Sequence, residues 1–267
     1  MNQRDRSALA ESRRLVGALR GLGTAADAPD LRAAVLTATG LADACFPLDS
    51  PIGRVFVAHN PQGIAAVAPA ASAEAFADLF RARFGRAIYP ADPPASLRRA
   101  IERHLRGERA ALRFDLRGLS EFERATLLKA LEVPRGEVRP YGWVAREIGR
   151  PRAVRAVGTA LGHNPVPLLI PCHRIVRSDG HLGNYAFGPA AKEAALGAEG
   201  LVPAELEQLA DEGIRYTGSD TTRIFCFPTC RHARRTTPQH RVAFASEARA
   251  RAAGYRPCKV CRPALAS

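Results

Sequence analysis

Lysine is scarce in this chain of 267 residues, which contains only Lys129, Lys192 and Lys259. Acidic residues are also outnumbered, since 26 Asp and Glu face 39 Lys and Arg, a formal net charge of +13. The positive charge therefore rests on arginine, whose planar guanidinium binds phosphate better than a lysine ammonium does. This balance fits a nucleic-acid partner, and it fits solvated surfaces rich in Arg and Ala equally well. Composition alone leaves both interpretations open.

Long apolar runs are missing too. No stretch approaches the ~18 residues of a membrane span, and the N-terminus "MNQRDRSALAESRRL" lacks the apolar centre of a signal peptide. We therefore expect a cytoplasmic protein without a membrane partner. Disulfides are rare in that compartment, so the six cysteines are interpreted as reactive or metal-bound thiols.

Hydrophobic periodicity divides the chain into five segments. Residues 1–44 have the spacing of two helices and are interpreted as a helical N-terminal extension. Residues 45–115 combine two helices with short apolar runs, two of them joined by the turn "NPQG". Residues 116–203 contain several helices, of which "YGWVAREIG" and "PRAVRAVGTALGHN" are spaced like a helix-turn-helix. An acidic linker, residues 204–215, leads to a basic segment, residues 216–267, with a cysteine cluster.

The stretch "NPVPLLIPCHRIV" places a thiol directly beside an imidazole at the end of an apolar run. A cysteine at its ordinary pKa of ~8.5 is mostly protonated, and only the thiolate is a strong nucleophile. A histidine can take the proton when a third group orients it. Cys172 and His173 are therefore either a nucleophile with its base or a buried structural cysteine beside a helix-capping histidine.

The longer pattern "NPVPxxIPCHR" resembles the signature of the O6-alkylguanine-DNA alkyltransferases. Similarity to the active-site domain of that family extends over residues 115–200, and residues 45–112 are less specifically similar to its smaller N-terminal domain. The resemblance implies DNA repair by direct reversal, an irreversible, single-turnover transfer of methyl or alkyl groups from guanine O6, or from O4-alkylthymine, to a cysteine. A strand would deliver that thiol to the floor of a base pocket.

The resemblance assigns roles to individual residues. Cys172 would accept the alkyl group, and His173 would act as its base through a bound water. Glu199 would orient His173, as in other nucleophile–base–carboxylate triads. Asn164 would brace the loop, and Tyr141 would hydrogen-bond the extruded base and crowd the flanking phosphate.

The second helix of the helix-turn-helix would enter the minor groove of DNA, where base readout is poor. Arg155 matches the family's arginine that fills the space of a flipped nucleotide. The small residues Ala153, Ala156 and Gly158 would let this helix approach the DNA closely.

The substrate pocket is implied to contain Tyr185, Phe187 and Pro167. Phe187 stands where the family often has glycine, and its larger side chain should narrow the pocket. Ala195 replaces one of two paired leucines, which removes no catalytic group. A related branch has Trp in place of the nucleophile and only binds lesions, and Cys172 argues against that branch.

A second constellation has the spacing Cys226-x3-Cys230-x27-Cys258-x2-Cys261. Two close cysteine pairs separated by a loop are typical of a zinc site with four thiolate ligands. A domain of about 50 residues is too small for an independent core and needs such a staple. We therefore predict structural zinc as the cofactor, and no soluble cofactor.

The sequence around these cysteines resembles the methyl-accepting zinc domain of Ada-type proteins. This resemblance implies that Cys226 is a second acceptor, which takes methyl groups from DNA phosphotriesters, with Thr222 and Arg256 at the phosphate. Phe227 departs from the Arg that usually follows the first cysteine. The alternative is therefore a structural or DNA-docking module. A regulatory domain is missing between the two modules, which disfavours a transcription factor.

In sum, we predict an α+β fold with a small N-terminal α/β subdomain, a helical active-site domain with a helix-turn-helix, and a small α+β zinc domain. The expected protein is a monomer that acts on double-stranded DNA with alkyl lesions and whose two acceptor cysteines react independently. Two alternatives compete with it: a lesion-binding or regulatory protein without chemistry, and a cysteine hydrolase using the same Cys–His pair.

Overall fold

The computed structural model describes residues 31–108 and 110–263. Helix α1, Leu31–Ala38, belongs to the predicted N-terminal extension. The other helix predicted for that extension lies outside the described residues. Over the described ranges, no helix has both the length and the apolar character needed to cross a membrane.

The N-terminal subdomain is a four-stranded mixed sheet with the strand order β3-β2-β1-β4. Strands β1 and β2 and strands β2 and β3 pair in antiparallel fashion, and β4 pairs in parallel with β1. The hairpin predicted at "NPQG" is the β2–β3 connection. The strands and helices of this subdomain are β1 Asp43–Ser50, β2 Gly53–Asn60, β3 Gly63–Ala68, α2 Ala73–Phe84, β4 Ile88–Pro90 and α3 Ala95–Leu105.

Helix α2 packs its aromatic face on this sheet. Ser72 caps the helix by accepting a hydrogen bond from the Ala75 amide. Phe76 and Phe80 are almost fully buried, and Phe76 stacks on Phe56 of β2 with ring centroids 5.6 Å apart. Backbone contacts then join the subdomain to the active-site domain, because the Val67 amide donates to the Pro165 carbonyl.

The active-site domain contains four helices and one short parallel strand pair. Strand β6 of this pair follows the "PCHR" turn directly. Helices α5 and α6 pack on each other and on α4, which agrees with the predicted helix-turn-helix. The elements are α4 Glu121–Leu131, β5 Arg139–Pro140, α5 Tyr141–Glu147, α6 Val154–Gly162, β6 Ile175–Val176 and α7 Pro189–Ala198.

The segment interpreted as a linker is a docked helix, α8, Pro203–Asp211. Glu207 on this helix accepts hydrogen bonds from the His181 side chain and, at 2.8 Å, from the Leu182 amide. The chain therefore leaves the active-site domain along its surface and not through a free tether.

The C-terminal domain has a second four-stranded sheet with the strand order β10-β8-β7-β9. The pairs β7–β8 and β7–β9 are antiparallel, and β10 is parallel to β8. Its elements are β7 Tyr216–Ser219, β8 Ile224–Cys226, α9 Arg231–Arg234, β9 Arg241–Phe244, α10 Glu247–Ala252 and β10 Arg256–Pro257.

The C-terminal domain shares a hydrophobic core with the active-site domain. Phe227 is buried there, with the Arg139 guanidinium 5.3 Å from its ring centroid and Tyr216 stacked on it at 5.7 Å. Trp143 of α5 is covered by Arg262, whose guanidinium also pairs with Glu147 at 2.7 Å. Phe227 thus fills an interdomain contact, which accounts for an apolar ring at a position where the Ada-type resemblance leads one to expect arginine.

Candidate active site and metal centre

The thiol of Cys172 lies at the start of a 3-10 turn, Cys172–Arg174, that follows the buried loop 164–171. The sequence-based prediction that a strand carries Cys172 is therefore wrong, because strand β6 begins only at Ile175. The three prolines in the loop cannot donate to a strand ladder, and Leu168 adopts a positive φ of 70°. The tight turn aims neighbouring side chains in different directions, so Cys172 and His173 face different surroundings.

Asn164 holds this loop in place with three hydrogen bonds. Its Nδ2 donates to the Ile170 carbonyl at 3.0 Å and to the Cys172 sulfur at 3.1 Å, while its Oδ1 accepts from the Val166 amide at 2.9 Å. The residue is 2 % exposed, so these bonds are shielded from water. Asn164 therefore fixes the position of the thiol and favours a negative sulfur by donating to it.

His173 and Glu199 form the predicted pair. The Nε2 of His173 lies 2.8 Å from a Glu199 carboxylate oxygen, and Nδ1 has no hydrogen-bond partner among the described residues. Burial opposes ionisation of Glu199, but hydrogen bonds from His173 and Arg174 outweigh it and lower the pKa of Glu199 to about 2. Glu199 is therefore a carboxylate at neutral pH, and Nδ1 is the ring nitrogen free to take a proton.

Burial controls the resting state of the two reactive groups. It raises the pKa of the Cys172 thiol, although the bond from Asn164 and the charge of Lys192 act in the opposite direction. It lowers the pKa of His173, although Glu199 acts to raise it. The resting pair is therefore a neutral thiol and a neutral imidazole, with a carboxylate placed to stabilise the imidazolium when a proton moves.

Two charged residues of the site were missed at the sequence level. Arg174 donates from Nε and Nη2 to Glu199 at 2.8 to 3.0 Å and from Nη1 to the Val133 carbonyl at 2.6 Å. It thus binds both oxygens of the carboxylate and shares Oε1 with His173. Its position directly after Cys172 and His173 in "PCHR" was the feature of the sequence that could have identified it.

Lys192 is fully buried in α7. Its ammonium donates to the carbonyls of Ile175, Leu182 and Asn184, with the first of these bonds at 2.8 Å. Burial lowers the pKa of Lys192 to about 8. The available signal was a lysine on the apolar face of a predicted helix, three and four positions before Ala195 and Leu196.

A cavity of about 290 Å³ opens onto the Cys172 thiol. Tyr141, Gly158 and Tyr185 line it together with Leu161, Gly162, Asn184 and Ala186. Burial raises the pKa of Tyr141, so its hydroxyl stays protonated and can donate. The cavity therefore has a nucleophile at its floor and a hydrogen-bond donor in its wall.

The other residues predicted for the pocket lie farther back. Phe187 stands behind the lining residue Tyr185 and packs edge-on against it, with ring centroids 5.6 Å apart. Pro167 is buried in the loop that Asn164 braces. Of the three predicted pocket residues, Tyr185 alone is among the residues that line the cavity. Phe187 packs against the Tyr185 ring.

The residues predicted to face DNA lie on or beside α6. Arg155 and Ala156 are exposed, and Ala153 is the half-buried N-cap of the helix. A Cβ at Gly158 would meet no atom within 4 Å, so the surface at the cavity mouth is open. Arg155 and the cavity mouth thus belong to the same accessible helix.

The four cysteines of the C-terminal domain form one buried cluster. Their sulfurs lie within 4.8 Å of one another, and closed sets of four thiolates at such distances fit tetrahedral zinc. Cys226 and Cys230 bracket a tight turn in which the Cys230 amide donates to the Phe227 carbonyl at 3.0 Å. We call residues 226–230 the knuckle. The four cysteines thus form a site that fits zinc as the cofactor of this domain.

A cleft of about 510 Å³ borders Cys226 and Cys258. Thr222 and Arg256, the two residues expected to contact phosphate, are exposed and line this cleft. His232, Arg235 and Lys259 add further hydrogen-bond donors to its wall. The cleft therefore has the chemistry of an anion-binding surface next to a sulfur cluster.

Comparison with known proteins agrees with both halves of this description. Residues 121–201 match the model of the 6-O-methylguanine DNA methyltransferase, DNA binding domain, and residues 208–264 match that of the metal binding domain of Ada. A methylated-DNA--protein-cysteine methyltransferase of Methanosarcina barkeri is 34% identical over 161 residues, which cover 57% of this chain and 94% of that protein. The chain belongs to the methylated-DNA--protein-cysteine methyltransferase family.

Other members of the family match over shorter stretches. The enzyme of Mycolicibacterium paratuberculosis is 44% identical over 88 residues, 33% of this chain and 53% of the relative. The match thus spans about half the length of that relative. A crystal structure titled Mycobacterium tuberculosis OGT in complex with DNA is 31% identical and covers 61% of this chain and 97% of that one, with a TM-score of 0.48.

Proposed function

We propose that this protein repairs DNA by transferring alkyl groups from O6 of guanine to Cys172, once per molecule. The observation that carries the proposal is the thiol at the floor of a cavity, held by Asn164 and placed next to a His173–Glu199 pair. Relatives that share this segment are named methylated-DNA--protein-cysteine methyltransferases. O4-alkylthymine presents an alkylated oxygen of the same kind and is a further candidate substrate.

The geometry supports a displacement assisted by a base. His173 takes the Cys172 proton on Nδ1 through a bridging water, and the Glu199 carboxylate stabilises the resulting imidazolium. The Cys172 sulfur then attacks the alkyl carbon, so an S–C bond forms as the O6–C bond breaks. The electron pair returns to guanine, which gains a proton, and the Tyr141 hydroxyl is placed to support that change. The product is a thioether, so the reaction needs no soluble cofactor and no turnover follows.

Access of the base to Cys172 requires that it leave the helix of DNA. A stacked guanine cannot reach a thiol that is only 6 % exposed, so the nucleotide must flip into the cavity. Arg155 on the exposed face of α6 is placed to fill the gap that the base leaves. The formal net charge of +13 supports binding to the phosphate backbone without sequence preference.

The two competing functions are weaker on the same observations. A protein that only binds lesions has no need of a buried carboxylate, its pKa lowered to about 2, that binds the histidine next to Cys172 in the chain. A cysteine hydrolase has no need of a DNA-facing surface, whereas the exposed Arg155 lies on the same helix as the cavity mouth. One chain supplies both the cavity and the Cys–His–Glu set, so we propose that a monomer carries out the reaction. We place this monomer in the cytoplasm.

Label transfer tests the proposal. The protein is incubated with DNA that carries radiolabelled methyl groups on O6 of guanine, then digested and mapped. We expect stoichiometric label on the peptide containing Cys172 and no release of label over time. Binding without label would favour the lesion-binding alternative, and label that turns over would favour a hydrolase.

The cleft beside Cys226 favours a second activity, the repair of methylphosphotriesters. A bound zinc ion would keep the cysteine sulfurs as thiolates, so no general base is needed. The Cys226 sulfur would attack the methyl carbon while Arg256 and Thr222 hold the phosphate, and the leaving group would be a phosphodiester anion. The cluster becomes one unit less negative, so repulsion from DNA falls after transfer. Without transfer, the same cleft serves as a DNA-docking module.

Phe187 is expected to limit the size of the alkyl group indirectly. Because it buttresses Tyr185, Phe187→Gly should free that ring and widen the cavity, so the rate with O6-benzylguanine relative to O6-methylguanine should rise about fivefold, roughly the effect of a lost aromatic contact. The matched control is Phe187→Leu, which keeps an apolar contact. An unaltered ratio in Phe187→Gly would show that Tyr185 is held by other neighbours.

A further inference from the structure

Residues 136–139, here called the bridging segment, lie between the zinc knuckle and the catalytic site. The segment follows α4 and includes the first residue of β5, which pairs with β6 next to the "PCHR" turn. Gly136, Glu137 and Arg139 are buried. Each end of the segment is bound by a different domain.

The zinc domain binds one end through residues of or next to the knuckle. The Val138 amide donates to Thr229 Oγ1 at 2.9 Å, and the Arg231 amide donates to Glu137 Oε1 at 3.0 Å. The other Glu137 oxygen pairs with Arg139. Thr229 lies between the metal ligands Cys226 and Cys230, so its position depends on the shape that the metal gives the knuckle.

The catalytic site binds the other end. The Gly136 amide donates to Glu199 Oε2 at 3.0 Å, and Glu199 Oε1 contacts His173 at 2.8 Å. Gly136 has a φ of +72°, and a Cβ there would lie 3.0 Å from the Glu199 carbonyl oxygen and 3.6 Å from an Arg234 nitrogen of the zinc domain. Glu199 of the active-site domain and Arg234 of the zinc domain therefore both lie next to Gly136.

We propose that the zinc-binding domain positions Glu199 for alkyl transfer, with Thr229 as the positioning residue and the bridging segment as the connection. The inference rests on the proposed transfer to Cys172. Two consecutive contacts, Thr229 to Val138 and Gly136 to Glu199, separate the knuckle from the carboxylate that orients His173. The two cysteines would still react by separate chemistry, and they would share a structural support.

The interface between the bridging segment and the zinc domain is buried and hydrogen-bonded. Glu137 and Arg139 are 1 % and 2 % exposed, and a buried carboxylate deprived of its partners is strongly destabilised. The knuckle supplies one of those partners through the Arg231 amide, and Phe227 covers the Arg139 guanidinium. Loss of zinc should therefore disturb the bridging segment before it disturbs the rest of the active-site domain.

The test compares Thr229→Val with the wild type in the full-length, zinc-loaded protein. We measure single-turnover transfer from O6-methylguanine DNA at increasing DNA concentration. The maximal rate should fall about fivefold, the effect of one buried hydrogen bond lost, while the half-saturating DNA concentration stays unchanged. Thr229→Ser should restore the rate, and Thr126→Val, the same change at a buried threonine of α4 whose hydroxyl has no hydrogen-bond partner among the described residues, should leave it unaltered.

Amide hydrogen exchange gives a second readout that does not depend on activity. The Gly136 and Val138 amides both donate to side-chain oxygens, so they report separately on Glu199 and on the zinc domain. Both should exchange faster in Thr229→Val, and in the wild type after a chelator removes zinc. If Thr229→Val does not fold, the chelated wild type provides the same comparison.

Two results would overturn the proposal: a maximal rate in Thr229→Val equal to that of the wild type, or Gly136 exchange that zinc removal leaves unchanged. A wild type that accepts no alkyl group would instead disprove the proposed function. In that case exchange at Gly136 still decides whether the zinc domain positions Glu199.

Discussion

Replacing Cys172 with serine is expected to abolish alkyl transfer and to leave DNA binding nearly unchanged. An alcohol is far harder to deprotonate than a thiol, and the burial that already raises the pKa of Cys172 would hinder it further. Serine keeps a side-chain acceptor for Asn164, so the loop should retain its shape. We expect affinity to rest mainly on arginine contacts to phosphate, which the change would not touch. Transfer is measured with labelled O6-methylguanine DNA, and affinity by titration with the same duplex.

Cys45 provides the matched control for this prediction. It is as buried as Cys172, and burial raises its pKa to about 11, but it lies in the separate apolar cluster of the N-terminal subdomain. Cys45→Ala should therefore retain transfer to Cys172. Full activity in Cys172→Ser, or lost activity in a folded Cys45→Ala, would contradict the assignment of the nucleophile.

The sequence was most informative where chemistry depends on contiguous residues. "PCHR" and the spaced cysteine pairs are short patterns, so Cys172, His173 and the metal ligands could be named directly. Glu199 and Asn164 were found only through the longer resemblance, and the structure brings both of them to the "PCHR" turn. Local patterns thus singled out Cys172, His173 and the four cysteines, and the resemblance supplied the expected roles of Cys172 and His173 and their partners.

Strand β1 shows why part of the fold escaped prediction. Its sequence "DACFPLDS" places a buried aspartate and a proline in a strand, against the usual preferences. Asp43 is tolerated because Asn60 and Arg86 bind it, and both are distant in sequence. Pro47 is tolerated because β4 pairs only with residues 43–45, which leaves β1 unpaired on that side. Neither compensation can be read from the local sequence.

The contact between the active-site domain and the zinc domain could not be predicted from the sequence for a related reason. Phe227 departs from the Ada-type pattern, and its ring contacts Arg139 and Tyr216, the former 88 positions away in the chain. The acidic segment interpreted as a linker is likewise held by His181 and Leu182. Contacts at such separations depend on how two folded units meet, which no short pattern encodes.

The second large effect is expected at the zinc domain. After exposure to heavily methylated DNA, mass spectrometry of the wild type should find methyl groups on both Cys172 and Cys226. The two reactions have different leaving groups, guanine in one and a phosphodiester anion in the other, and different sites, a cavity of about 290 Å³ beside Cys172 and a cleft of about 510 Å³ beside Cys226. One site can hardly serve both, so His173→Ala should lose the methyl group on Cys172 and keep the one on Cys226. Arg256→Ala should do the opposite, because it removes a phosphate contact from the cleft without touching the bridging segment. Methyl on Cys172 alone, with zinc still bound, would reduce the C-terminal domain to a support for Glu199 and a DNA-docking surface.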